Sequence, residues 1–109
     1  MVDLQIAGSD PEESAALYHW LRADAGLAEH ARIRAGRPAE GHLGAIEIID
    51  LVLTHVTGAA SLALAVAGWR QSRAKPGPTT VTRADGKGLT VSGPPEVVAE
   101  TIERFLTED

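Results

Sequence analysis

At 109 residues the chain is long enough for one hydrophobic core and too short for two, so we expect a single domain over residues 1–109. Its formal net charge of -5 argues against general nucleic-acid binding, which needs clustered Lys and Arg side chains to neutralise phosphates. The absence of cysteine excludes disulfides, thiolate metal sites and a cysteine nucleophile, and since no secretory signal is visible at the N-terminus, we expect a cytoplasmic protein.

Residues 1–36 have the pattern of a strand-helix-strand unit. The stretch "VDLQIA" alternates apolar and polar residues, as a half-buried strand does. A helix should follow, with Asp10 as N-cap, Pro11 at N1, Glu13 completing a capping box and Gly26 ending it in a left-handed conformation. Its apolar face consists of Ala16, Leu17, Trp20 and Leu21. The stretch "ARIRA" is the second strand, and a right-handed crossover would make the two strands parallel neighbours.

Residues 44–73 are predicted to form a helical pair with its turn at Gly58. The spacing of the apolar residues places four of them on one face of the first helix: Ile46, Ile49, Leu53 and Val56. The second helix should run from about residue 59 to residue 72.

Residues 78–109 are predicted to form a hairpin followed by a C-terminal helix. β-Branched residues flank an Asp85-Gly86 turn, and Pro95 stands near N1 of the helix. The apolar face of this helix consists of Val98, Ile102, Phe105 and Leu106. All the elements together predict an α+β fold in which helices pack on a small mixed sheet.

No charged residue occurs from Leu51 to Trp69, and this stretch has three possible interpretations. A membrane span needs roughly 20 apolar residues; the stretch barely reaches that length and contains His55, although Arg70, Arg73 and Lys75 form the basic flank that is typical of spans. It could instead be buried core. The third possibility is core plus a surface for a partner, because helices that are apolar on most faces must be buried on more than one side.

A search for chemistry finds no catalytic motif. No histidine belongs to an HExxH motif and no serine to G-x-S-x-G. Glu47, Asp50 and His55 could form a carboxylate-histidine metal site, but ordinary polar residues on a helix surface explain them more simply. We therefore expect no enzymatic activity, no bound metal and no cofactor.

Four stretches stand in order along nearly the whole chain: "LYHWLRADAGLAEHARIR", "GHLGAIEIIDLVL", "AGWRQSR" and "VTRADGKGLTVSG". In this order, and with the landmarks "WLRAD" and "LGA", the chain resembles the family known as effector-associated constant component 1. The resemblance implies a non-catalytic adaptor of bacterial conflict systems, including antiviral defence, found especially in actinobacteria. Such adaptors occur beside or fused with effectors such as caspase-like or trypsin-like peptidases, and are thought to couple sensing to effector activation.

The expected partner is therefore an effector protein or a second copy of the chain, with a homo-oligomer as the expected assembly. The candidate contact residues lie on the predicted helical pair: Ile48, Leu51, Val52, His55, Leu62, Val66 and Trp69. For each of them, core packing is the alternative. Two rival functions stay open, a membrane-associated module that inserts the apolar stretch and a small metal protein that uses Glu47, Asp50 and His55.

Overall fold

The computed structural model of the protein describes residues 2–36, 48–55 and 57–107. Its strands are β1 (Val2–Ala7), β2 (Ala31–Ala35), β3 (Ile49–Leu53), β4 (Thr79–Arg83) and β5 (Gly88–Val91). Its helices are α1 (Pro11–Ala23), α2 (Ala25–Ala28), α3 (Gly58–Gln71) and α4 (Pro95–Thr107). The five strands form one sheet, in the order β2-β3-β1-β4-β5, with every neighbouring pair antiparallel. The helices pack on this sheet, which confirms the α+β class. The described sheet is antiparallel and not mixed as predicted, because β3 lies between β1 and β2.

The hydrophobic core lies between one face of the sheet and the inner faces of α1, α3 and α4. Alternate strand residues point into it, such as Leu4 and Ile6 of β1, because successive side chains of a strand face opposite ways. The opposite face of the sheet, which we call the open face, carries the residues between them, such as Asp3 and Gln5, and these are exposed. The buried apolar residues form a single cluster that all three long helices share.

The prediction of a first helix in the helical pair is wrong, because residues Ile49–Leu53 form strand β3. Ile49, Leu51 and Leu53 are fully buried, whereas Asp50 and Val52 between them are partly exposed, which is the two-residue period of a strand. The apolar run satisfied helical spacing as well, and pairing with β1 on one side and β2 on the other decides between the two. Ile46 and Val56, also assigned to that helix, lie outside the described residues.

Strand β3 also changes the predicted strand-helix-strand unit, since it lies between β1 and β2. Both strands are antiparallel to β3, so they run in the same direction without being hydrogen-bonded to each other. The elements β1, α1, β2, β3, α3 and β4 thus form the split βαβ arrangement of ferredoxin-like folds, to which β5 and α4 are added.

Helix α1 begins as predicted and ends differently. The Asp10 carboxylate accepts a 2.8 Å hydrogen bond from the Glu13 amide, as an N-cap does. The predicted left-handed end at Gly26 is wrong: α1 ends at Ala23, and Gly26 lies within α2. The reason is Asp24, whose extended backbone stops α1 while its carboxylate caps α2 by accepting from the Leu27 amide at 3.0 Å.

The C-terminal elements are confirmed. The turn between β4 and β5 contains Gly86, whose φ of 91° lies in the left-handed region that glycine tolerates. Helix α4 begins at Pro95 and buries Val98, Ile102 and Leu106. The second half of the predicted helical pair is also confirmed, as α3 (Gly58–Gln71).

Candidate interaction surface

The inner face of α3 belongs to the core. Leu62 and Val66 are fully buried, and Trp69 is almost so. Leu51 of β3 is buried in the same cluster. These four predicted contact residues therefore pack inside the protein, as the alternative of core packing expected, and none of them presents a side chain to a partner in this structure.

The other three predicted contact residues lie around β3. Ile48 and Val52 are partly buried, and His55 is exposed in the turn that follows the strand. The alternation along β3 places Val52 on the open face of the sheet, away from the helices. The structure thus does not bring the seven residues together on one surface, and partner contact through them stays a prediction.

The outer face of α3 is where apolar surface is exposed. Leu64 is 68% exposed, more than any other large hydrophobic residue described. Gly68 lies one turn further along the same side of the helix. Against Gly68 stands Trp20 of α1, whose Cζ2 would be 3.6 Å from a Cβ built on the glycine. We call the surface formed by Trp20, Leu64 and Gly68 the Trp20–Leu64 patch.

Trp20 was predicted on the buried face of α1, and the structure shows it 40% exposed. Leu17 and Leu21 occupy the centre of that face and are fully buried, which leaves Trp20 at its margin beside α3. The indole ring lies beside Gly68 of α3, at a distance that would still leave ordinary van der Waals contact with a Cβ there. Sequence patterning along α1 alone could not have revealed this exposure.

The basic flank that follows the apolar stretch is not a free cationic surface. Arg70 is only 4% exposed, and its Nη1 donates to the Gly77 carbonyl oxygen at 2.6 Å and to Thr79 Oγ1 at 3.0 Å. The guanidinium of Arg73 lies 5.1 Å from the centre of the Trp69 ring, a cation–π contact. Arg70 therefore ties the end of α3 to the start of β4 instead of facing outward.

Glu13 completes the polar network around Gly77. Its carboxylate accepts from the Gly77 amide at 3.2 Å and from Ser9 Oγ at 2.7 Å. Of the predicted capping box, the Asp10 bond is thus present, while the Glu13 side chain binds the segment before β4. The network joins the start of α1, the end of α3 and the start of β4.

The open face of the sheet holds a groove of about 400 Å³. Its polar side chains include Asp3, Gln5, Arg34 and Asp50, and Gln5 Nε2 donates to Asp50 Oδ1 at 3.3 Å. Asp50 and His55, which were predicted on one helix, instead occupy strand β3 and the turn after it, and Glu47 lies outside the described residues. No group of three histidine, aspartate or glutamate side chains within residues 2–36, 48–55 and 57–107 could hold a metal ion.

The length of α3 bears on the membrane interpretation. The helix spans Gly58–Gln71, and the apolar stretch begins before it, with residues 51–53 in strand β3. No helix in the described part of the chain is long and apolar enough to cross a bilayer.

Comparison with known protein families settles the family. The sequence profile of Effector Associated Constant Component 1 matches residues 7–108. The chain belongs to this family. The Effector Associated Constant Component 1 match includes all four helices, and with them the whole of the Trp20–Leu64 patch. No curated protein and no solved structure matches the chain.

Proposed function

We propose that this chain is a non-catalytic adaptor of a bacterial conflict system, which binds an effector such as a caspase-like or trypsin-like peptidase and assembles with copies of itself. Membership of a family described as an effector-associated constant component supports association with an effector.

The observation that carries the proposal is the Trp20–Leu64 patch. Leu64 is 68% exposed, and Trp20, which adjoins Gly68 one turn further along α3, is 40% exposed. Burial of such apolar surface contributes about 25 cal/mol per Å². Tryptophan is enriched among residues that dominate binding energies, because it offers a large and rigid contact area. Both side chains stand on helices that the core holds in place, so the surface is preformed.

The Trp20–Leu64 patch lies on a different face of α3 from the contact residues predicted from the sequence. The predicted surface was assigned to the helical pair, whose residues on α3, Leu62, Val66 and Trp69, are now seen to pack inward. The part of α3 that can meet a partner is its outer face, which carries Leu64. We therefore place the proposed contact of the adaptor on the outer face of α3.

The test is capture of the effector encoded beside or fused with the chain, together with light scattering after size-exclusion chromatography. Leu64→Lys should leave the fold intact, because the side chain is exposed, and should abolish capture or self-assembly. Val97→Lys is the matched control, since Val97 is an exposed aliphatic residue (51%) on α4. If Leu64→Lys and the wild type assemble and capture equally well, the patch is not the contact surface.

A further inference from the structure

The edge strand β2 is a surface separate from the Trp20–Leu64 patch. Among the described strands, β2 pairs only with β3, because it is the first strand of the sheet order β2-β3-β1-β4-β5. An edge strand has a row of backbone groups that can pair with another chain. The question is which groups of β2 point outward and what kind of strand they suit.

The hydrogen bonds at the two ends of β2 identify the outward groups. The Thr54 amide donates to the His30 carbonyl at 2.8 Å, and the Gly36 amide donates to the Ile48 carbonyl at 2.7 Å. In the register of β2 with β3, the even-numbered residues are therefore the ones that bond to β3. The outward amides and carbonyls belong to the odd-numbered residues: Ala31, Ile33 and Ala35.

The even-numbered residues, Arg32 and Arg34, supply the charge. Both side chains are exposed on the open face of the sheet. Neither forms an ion pair with any residue of the described ranges, although Asp50 is the cross-strand neighbour of Arg34. In a new ladder on this edge they would occupy non-hydrogen-bonded positions, where facing Cα atoms are about 4.5 Å apart and side chains interact most closely.

A second copy of the chain is a poor occupant of this edge. Antiparallel self-pairing centred on Ile33 would place Arg32 of one copy opposite Arg34 of the other, on the same face. Like charges in directly opposite positions destabilise a ladder. Acidic side chains at alternate positions would face both arginines favourably, and the apolar residues between them would lie beside Ile33 on the helix side.

We propose that β2 is a docking edge for an extended acidic segment of a partner protein, which adds a sixth strand with carboxylates opposite Arg32 and Arg34. The segment alternates Asp or Glu with apolar residues, so that its backbone gives affinity and its carboxylates give selectivity. This site goes beyond the adaptor contact proposed above, since it uses neither Trp20 nor Leu64. An adaptor with two separate elements could hold two partners at once.

The test is amide hydrogen exchange by NMR on the whole chain, with and without a blocked six-residue peptide that alternates glutamate with valine. In the free protein, the amides of Ala31, Ile33 and Ala35 should exchange faster than those of Arg32 and Arg34, which bond to β3. The peptide should slow exchange at the three odd-numbered residues. Slow exchange there in the free protein would mean that the edge is already occupied and would overturn the proposal.

Charge reversal provides the matched comparison. Arg32→Glu with Arg34→Glu should weaken peptide binding about 10-fold or more, since two favourable cross-strand pairs become repulsive. Lys75→Glu with Lys87→Glu changes the net charge equally at exposed sites away from β2 and should leave binding within about 2-fold of the wild type. Equal losses in the two double variants, or equal binding of a peptide that alternates lysine with valine, would contradict the docking edge. Leu64→Lys should bind the glutamate peptide normally, so failure of the adaptor contact and failure of this site are distinguishable.

Discussion

Arg70 and Gly77 are joined by a 2.6 Å hydrogen bond from the arginine Nη1 to the glycine carbonyl oxygen, in a site where the arginine is almost completely buried. The amide of the same glycine donates to Glu13 at 3.2 Å. One peptide segment is thus held from both sides by charged side chains of two different helices. This arrangement fixes the chain where it leaves α3 and enters β4.

Replacing Arg70 with lysine should destabilise the protein by about 1–3 kcal/mol, because the shorter lysine side chain does not reach the position of Nη1, which donates to both Gly77 and Thr79, and leaves buried acceptors unsatisfied. Urea denaturation measures the change. Arg73→Lys, three residues further on, should cost less than about 1 kcal/mol, since Arg73 contributes one cation–π contact with Trp69. Equal losses in the two variants would mean that the Arg70 bonds add little.

Gly77→Ala should destabilise the protein by about 1–3 kcal/mol through overpacking. The new Cβ would collide with Ser9, reaching 2.6 Å from its Cβ and still closer to its hydroxyl oxygen. Ser9→Gly in the same chain removes both atoms and should recover part of the loss, whereas Ser9→Ala removes only the hydroxyl and should not. Thermal unfolding of the two double variants distinguishes these outcomes, and an equal recovery would rule out the collision with the Ser9 Cβ.

Gly68→Ala is expected to stabilise the protein by up to about 1 kcal/mol, because glycine within a helix costs roughly that much relative to alanine. The added Cβ would meet Trp20 at 3.6 Å, an ordinary van der Waals distance. Gly8→Ala is the contrasting variant, since its Cβ would lie 2.8 Å from the Glu13 Cβ and 3.0 Å from backbone atoms. Chemical denaturation should show a gain at Gly68 and a loss at Gly8, and a loss at both would contradict the ordinary van der Waals fit of a Gly68 Cβ beside Trp20.

Val66→Asp should prevent folding, since an unpaired carboxylate at a fully buried position costs more than about 4 kcal/mol. Leu64→Asp, two residues earlier on the outer face of α3, should change stability by less than about 1 kcal/mol. Far-UV circular dichroism of the two variants compares the faces of α3 directly. A folded Val66→Asp protein that had lost partner binding would restore Val66 to the interface expected from the sequence.

The turn between β4 and β5 contains a carboxyl group whose pKa depends on its neighbours. Asp85 accepts hydrogen bonds from the Arg83 side chain and from the Lys87 amide, and these lower the pKa of Asp85 below its ordinary value of 3.8. Because the pKa of Asp85 is lower in the folded protein than in the unfolded chain, its carboxylate contributes to folding stability. This contribution is fully present at a pH above the unfolded pKa and is lost as the pH falls through the folded pKa. Arg83→Gln should raise the pKa of Asp85, as measured by carboxyl NMR titration, and an unchanged pKa would show that the guanidinium has no influence.

Elements with their own local signals could be predicted from the sequence. Asp10 before Pro11, Gly86 in the hairpin turn and Pro95 at the start of α4 each determine the backbone over a few residues. Strand β3 had no such signal, because its apolar residues fit both a helical and a strand period. Only the neighbouring strands decide in favour of β3, and they are distant in sequence.

The candidate surfaces depended still more on tertiary contacts. Trp20 lies at the margin of α1 beside Gly68 of α3, and Arg70 is buried where Gly77 and Thr79 accept its hydrogen bonds. The spacing of apolar residues placed Trp20 on the apolar face of α1, and the sequence placed Arg70 in a basic flank. In contrast, Arg32 and Arg34 are exposed on "ARIRA", whose strand character was predicted, while the position of that strand at the edge followed from the insertion of β3.

The place of β1 at the centre of the sheet has a consequence for how the protein is made. Leu4 pairs with Leu51 on one side and with Arg83 on the other, so the middle of the sheet joins residues from both ends of the chain. Contacts between residues far apart in sequence form slowly, since long loops must close first. During synthesis, β1 can therefore complete its pairing on both sides only after β4 has been made.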